Sequence, residues 1–167
     1  MGVKKIKSVP DLPDSSAKDA AASYYSASSF NPALLFQASQ RVAPQDFTAR
    51  LALIKAGITR HSVDELMVAT GLSLAEISSY MHITERTLRN YSGNTRLAPD
   101  PSERAIEIAL LYQKGKEVFG SLDAFKEYMD SKIPALGNQK PKDFLDTSLG
   151  ISYLMDELGR FVSGVYS

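Results

Sequence analysis

The sequence contains no cysteine and no tryptophan, and it has only two histidines, His61 and His82. Disulfide bonds and thiolate metal sites are therefore excluded. A zinc site would need carboxylates to complete its ligand set. No stretch approaches the roughly 18 consecutive apolar residues that a membrane-spanning helix needs. We therefore expect a protein that binds no metal ion or cofactor and does not enter a membrane.

The motifs of common enzyme classes are also missing. There is no G-x-x-x-x-G-K-[ST] phosphate loop, no G-x-S-x-G nucleophile elbow and no pair of neighbouring histidines. Acid–base or nucleophilic chemistry would have to depend on ordinary carboxylates, so we do not expect an enzyme. The basic N-terminus, with Lys4, Lys5 and Lys7, is not followed by an apolar stretch and does not read as a secretory signal. The expected compartment is the cytoplasm.

Charge is unevenly distributed, although the formal net charge of the chain is zero. Residues 50–96 carry six basic and four acidic side chains, whereas residues 97–167 carry eight basic and eleven acidic ones. A basic middle segment followed by an acidic segment favours a nucleic-acid-facing part and a part with a different partner.

Apolar residues recur at helical spacing from residue 31 onward, and no segment alternates in the manner of a strand. The sequence predicts an all-α fold, a helical bundle, in three parts. Residues 1–30 are expected to be a flexible arm, with a short helix at Ala20 to Tyr25 as the alternative. Residues 31–98 form a helical region and residues 99–167 a second helical domain, with Asn94 to Asp100 as the internal boundary.

Helix starts and stops are marked by local signals. Asn31-Pro32 is typical of an N-cap followed by proline, and Gly57 is typical of a helix C-terminus after the apolar series Phe47, Leu51 and Ile54. Capping boxes are predicted at Ser62-Val-Asp-Glu65 and Ser73-Leu-Ala-Glu76. Asp100-Pro101-Ser102-Glu103 should open another helix. Further helices are indicated around Phe125–Met129 and Ile151–Val162.

The stretch from residue 72 to 93 has the spacing of a helix-turn-helix. Five apolar positions are needed to pack two short helices at a sharp angle, and they are filled by Ile77, Met81, Ile83, Leu88 and Tyr91. A small residue, Ser78, stands where the helices approach most closely, and Thr84 can cap the second helix. The turn position that normally holds glycine is His82, a residue type that tolerates positive φ.

A helix-turn-helix places the N-terminal end of its second helix in the major groove of DNA. The exposed residues of that helix are then Glu85, Arg86, Arg89 and Asn90, with Thr84 and Thr87 near the backbone. Arg86 is the candidate for reading guanine and Asn90 for reading adenine. Glu85 could accept from cytosine or only complement the helix dipole. Arg89 and Arg96 are candidates for phosphate contacts.

The C-terminal part resembles the toxin-binding domain of Xre/MbcA/ParS-type antitoxins. The resemblance rests on the order of several pieces that follow a helix-turn-helix: Glu117-Val-Phe-Gly120, Pro134-Ala-Leu-Gly137, Pro141-Lys-Asp-Phe-Leu145, the last helix and the terminal Gly164-Val-Tyr-Ser167. It implies an antitoxin that neutralises a RES-domain, NAD-consuming toxin through its C-terminal region and represses its own operon. The implied toxin contacts are Leu136, Phe144, Arg160 and the tail Val165, Tyr166 and Ser167, which would cover or enter the NAD cleft.

Two further expectations concern assembly and alternatives. Operators for such motifs are usually pseudo-palindromic double-stranded DNA, so a homodimer is expected, with the helices between Asn31 and Gly57 as the candidate interface. The alternative function is a stand-alone transcription regulator whose C-terminal domain senses a small ligand. The sequence shows no cluster of polar residues that would form such a pocket.

Overall fold

The computed structural model describes residues 47–162, and its regular structure over that range is helical, which confirms the all-α prediction. The elements in chain order are α1 (Phe47–Ala56), α2 (Arg60–Thr70), α3 (Leu74–Tyr80), α4 (Glu85–Asn90), α5 (Pro99–Phe119), α6 (Leu122–Asp130), the 3-10 turns η1 (Pro134–Leu136) and η2 (Pro141–Phe144), and α7 (Ser148–Val162). No helix within residues 47–162 is both long and apolar enough to cross a membrane.

Helix α5 is the central element, and it contacts α1, α2, α6 and α7. Its inner face is mainly apolar, with Ile108, Leu111 and Tyr112 fully buried. The helix begins at Pro99, one residue earlier than the sequence suggests, because proline at the first helical position costs no hydrogen bond. It ends before Gly120, which has φ +79° as expected for a helix C-terminal residue.

One of the two expected capping boxes is confirmed and the other is wrong. Ser73 accepts from the backbone of Glu76 at 3.2 Å, and the Glu76 carboxylate accepts from the backbone of Ser73 at 2.9 Å. At α2, however, the cap is Thr59, whose hydroxyl accepts from the backbone of Ser62. Ser62 is instead buried in the first turn of the helix. Two overlapping cap patterns compete here, and the earlier one starts the helix.

The loop between α1 and α2 is hydrogen-bonded to the segment that follows α4. The backbone of Leu97 donates to Ile58 at 2.9 Å, and that of Arg60 donates to Thr95 at 2.8 Å. Gly57 has φ +76°, and a Cβ there would overlap the carbonyl oxygen of Leu97. The residues following α4 are therefore part of the helix-turn-helix region, although they carry the proline-rich signal of a boundary.

Replacing Gly150 with alanine is expected to lower the free energy of unfolding by about 1–3 kcal/mol, the usual cost of overpacking. Gly150 lies in the first turn of α7, and an added Cβ would overlap the backbone oxygen of Phe144, which cannot rotate away. Gly159→Ala is the matched control, because a Cβ there meets nothing within 4 Å. Urea titrations measure both; equal stability of the two variants would contradict the close approach.

Several sequence expectations fall outside the described residues. These are the flexible arm 1–30, the alternative helix at Ala20 to Tyr25, the helix start at Asn31-Pro32, and the tail Val165 to Ser167. They stay predictions, as does the homodimer.

Candidate DNA-binding and toxin-binding surfaces

The helices α3 and α4 pack as the sequence predicts for a helix-turn-helix. Ile77, Met81 and Leu88 are fully buried between them, and Ser78 is buried where the helices approach. His82 in the turn has φ +54°, so a histidine does occupy the left-handed conformation. Ile83 and Tyr91 are partly buried against the same core. The two helices therefore pack into one unit through residues that are close together in the sequence.

The exposed side of α4 carries two polar side chains that are available to a ligand. Arg86 and Asn90 are one helical turn apart, both are exposed, and neither makes a hydrogen bond or ion pair within residues 47–162. Arg89 instead donates to Glu85 at 2.6 Å, so this pair partly neutralises itself. Thr84 caps the helix by accepting from the backbone of Thr87. Arg86 and Asn90 are therefore the best placed of the predicted base-reading residues.

Two arginines fix the surroundings of α4 from the neighbouring segments. Arg60, at the start of α2, donates through Nε to the carbonyl oxygen of Leu88 at 2.8 Å and pairs with Asp64. It thereby satisfies a carbonyl near the C-terminal end of α4, where positive charge is favourable. Arg96, a predicted phosphate contact, is exposed and donates to the carbonyl oxygen of Gly57 at 2.6 Å. Its role toward DNA stays a prediction.

An ion-pair cluster joins α3 to the C-terminal part of the chain. Lys142 in η2 lies 2.9 Å from Glu76 of α3 and 2.7 Å from Asp130 at the end of α6. Burial alone would raise the pKa of the Glu76 carboxyl, but hydrogen bonds from Lys142 and Ser73 outweigh it and lower that pKa to about 2. The same contacts raise the pKa of the Lys142 ammonium, first through Asp130 and then through Glu76.

This cluster predicts an acid-sensitive part of the stability. The pKa of Glu76 is lowered on folding from its ordinary value of 4.5 to about 2. Its contribution is therefore fully present above about pH 5 and is lost as the pH falls toward 2. We expect the free energy of unfolding to fall by about 1–2 kcal/mol more over this range than in Glu76→Gln, allowing for solvent screening. Urea titrations at each pH measure it, and parallel curves would contradict it.

The outer face of α7 is the second candidate surface. Leu149, Tyr153, Asp156 and Arg160 follow each other at helical spacing and are exposed, with Leu149 at 81%. We call these four residues, together with Phe144 of η2, the α7 face. The ring of Tyr153 stacks on that of Phe144 at a centroid distance of 6.3 Å. An exposed leucine beside two aromatic rings is typical of an interaction surface.

The buried carboxylate of Glu157 interacts with Tyr153, the aromatic residue in the middle of the α7 face. A hydrogen bond to Glu157 raises the pKa of the Tyr153 phenol, and Glu157 also lies 3.0 Å from the guanidinium of Arg160. The guanidinium carbon of Arg160 lies 6.0 Å from the centre of the Tyr153 ring. Arg160 thus lies beside both the Glu157 carboxylate and the Tyr153 ring.

The structure brings together some of the sequence-predicted toxin contacts. Phe144 and Arg160 both lie next to the ring of Tyr153. The sequence did not single out Tyr153 or Leu149 as toxin contacts. The signal was available, because an apolar or aromatic residue at positions 149 and 153 breaks the polar side of an amphipathic helix. Leu136 is 9% exposed and packs into the core of residues 47–162. A direct toxin contact by Leu136 stays a prediction.

The far end of α7 is held by a separate aromatic cluster. Phe161 packs edge-on against Phe119 at the end of α5, with ring centroids 5.9 Å apart, and against Tyr128 of α6 at 6.2 Å. Such contacts fix the direction of the helix at its last described turn.

Comparison with known families matches both parts of the chain. Residues 49–110 match the model of the antitoxin Xre-like helix-turn-helix domain, and residues 114–164 match that of the antitoxin Xre/MbcA/ParS C-terminal toxin-binding domain. The chain belongs to the Xre/MbcA/ParS antitoxins. In this antitoxin, α3 and α4 lie in the first range, whereas the whole α7 face lies in the second. The two ranges meet within the continuous helix α5, and the division at residue 98 stays a prediction.

Two curated relatives carry antitoxin names. The antitoxin is 29% identical over 117 residues to "Antitoxin Xre" of Yersinia enterocolitica, an alignment covering 68% of this chain and 78% of the relative. It is 23% identical over 146 residues to "Prs ADP-ribosylating antitoxin" of a Sphingobium species, covering 81% and 90% of the two chains. Both alignments extend over most of each protein.

Proposed function

We propose that this antitoxin binds and neutralises a RES-domain, NAD-consuming toxin through its C-terminal region and represses its own operon through α3 and α4. The observation that carries the first half is the α7 face, an exposed leucine and tyrosine inside the range that matches a toxin-binding domain. The second half is supported by Arg86 and Asn90, unpaired and exposed inside the range that matches an Xre-like helix-turn-helix. Both activities are binding, and neither requires catalysis by this chain.

The α7 face has the composition of a binding hot spot. Tyrosine and arginine are enriched among the few residues that dominate binding energy at protein interfaces. Arg160 is already paired with Glu157 at 3.0 Å, so part of its side-chain freedom is lost before binding. Leu149 adds apolar area that water now covers, and its burial would contribute about 1.5–3 kcal/mol.

Two considerations support a toxin that uses NAD. The resemblance of the C-terminal domain implies a RES-domain partner, and the name of the Sphingobium relative refers to ADP-ribosylation, a reaction whose usual donor is NAD. We propose that the tail Val165, Tyr166 and Ser167 covers or enters the toxin's NAD cleft while the α7 face supplies affinity. The aromatic contacts of Phe161 fix the last described turn of α7, the helix that precedes this tail in the sequence.

Truncation after Gly164 tests the location of the block. The shortened antitoxin is expected to bind the purified toxin but to protect NAD from it less well than the full chain. If NAD remains fully protected, the tail does not obstruct the cleft. Neutralisation would then come from the α7 face and the wider surface around Leu136 and Phe144.

Co-purification from the native host separates the antitoxin from a stand-alone regulator. A stoichiometric protein partner whose NAD consumption stops in the complex supports the antitoxin. A chain that binds operator DNA, carries no protein partner and changes its DNA affinity with a small molecule would instead be a ligand-sensing regulator. The same preparation, measured by light scattering, tests the proposed homodimer and its assembly on double-stranded operator DNA.

A further inference from the structure

His82 is held in a backbone conformation that its own side chain makes unfavourable. Its φ is +54°, a value that glycine adopts without steric cost and that other residues adopt only with strain. Glycine would therefore serve the turn between α3 and α4 better than histidine does. The backbone conformation of the turn therefore does not explain why a histidine occupies position 82.

The imidazole of His82 reaches out of the helix-turn-helix. Its Nε2 donates to the carbonyl oxygen of Asp146 at 2.9 Å, across 64 positions of sequence. Asp146 lies between η2 and α7, inside the range that matches the toxin-binding domain. The turn that precedes α4 is thus tied directly to the segment from which the α7 face begins.

A buried arginine makes a second link between the same two segments. The guanidinium of Arg104 in α5 donates to the carbonyl oxygen of Tyr80 at 3.1 Å and to that of Leu145 at 2.6 Å. It also donates to the hydroxyl of Ser148 at 2.8 Å. Tyr80 is the last residue of α3, so Arg104 fixes the end of that helix while His82 fixes the turn beyond it. Residues 80–82 and 145–148 therefore meet at what we call the junction.

We propose that His82 is a positioning residue for DNA recognition, through which the toxin-binding domain sets the orientation of α4. The proposal rests on the proposed DNA-binding function. Helix α4 has only six residues and begins three positions after His82. Its base-reading side chains can reach the major groove only if the turn holds a fixed direction relative to the rest of the chain. Arg104 secures the inner side of the junction, and the His82 imidazole secures its exposed side.

The test is the variant His82→Gly. This change relieves backbone strain, which raises the stability, and it removes the Asp146 contact, which lowers it. We expect its melting temperature to equal or exceed that of the original chain, because glycine suits φ +54°. We expect its affinity for operator DNA to fall about fivefold, the equivalent of one hydrogen bond. Affinity for random-sequence DNA should stay unchanged, since the phosphate-contacting cations are untouched.

Asn138→Gly is the matched control. Asn138 has φ +61° in a turn that follows η1, so this variant relieves the same kind of strain away from the junction. It should leave operator affinity unchanged. Unchanged operator affinity in His82→Gly would overturn the proposal, and so would a lowered melting temperature, which would make the imidazole a stabilising group only. If the original chain binds no operator, the proposed DNA-binding function fails instead.

Discussion

Replacing Arg86 with alanine is expected to weaken binding to operator DNA by about tenfold to a hundredfold and to leave binding to random-sequence DNA nearly unchanged. Arg86 is exposed on α4 and has no partner within residues 47–162, so its guanidinium is available to pair with the two acceptors of a guanine. The variant should lose its sequence preference only at the base pair that Arg86 reads. Fluorescence titrations at one fixed salt concentration, with operator and scrambled duplexes, measure the two affinities.

Arg89→Ala is the matched control for Arg86→Ala, since it removes the same charge from the same short helix. Arg89 is paired with Glu85 at 2.6 Å, so its removal should have a smaller effect and little effect on sequence preference. Arg96→Ala should weaken binding to all DNA similarly and make the salt dependence shallower. If Arg86→Ala binds operator and random DNA as the original chain does, Arg86 does not read bases.

The helix-turn-helix could be read from the sequence because its determinants are local. The apolar spacing from Ile77 to Tyr91 spans fifteen positions, and the signals at Ser73 and Thr84 act within three residues of themselves. The sequence also predicts that the turn tolerates histidine in place of glycine at position 82, and His82 does adopt a positive φ there. Where local signals overlap, as at Thr59 and Ser62, the sequence alone did not show which cap starts the helix.

The contacts that join the two parts of the antitoxin could not be read in this way. The Lys142–Glu76 pair spans 66 positions and the His82–Asp146 contact spans 64, so no periodic pattern records them. Arg104 in the sequence is one more charged residue on a long helix, yet it is 8% exposed and donates to three residues in two distant segments. Only the packing of α5 between the two parts reveals it as a central contact.

The combined variant Leu149→Asp and Tyr153→Ala is expected to weaken toxin neutralisation by at least about a hundredfold. The first change places an unpaired carboxylate within the proposed interface, and the second removes the ring that Phe144 and Arg160 flank. Both side chains are exposed in the free chain, so its stability should change little. Titration of the purified toxin with each antitoxin, with remaining NAD as the readout, measures the effect.

Val68→Asp supplies the matched control for the α7 face. Val68 is 83% exposed, close to the 81% of Leu149, but it lies on α2 within the range that matches the helix-turn-helix domain. Because the same type of substitution is made at the same exposure, any general effect of a surface carboxylate appears in both variants. Loss of neutralisation only in the α7 variant identifies the face as the toxin contact. Full neutralisation by the α7 variant would contradict it and leave the tail as the contact to be tested.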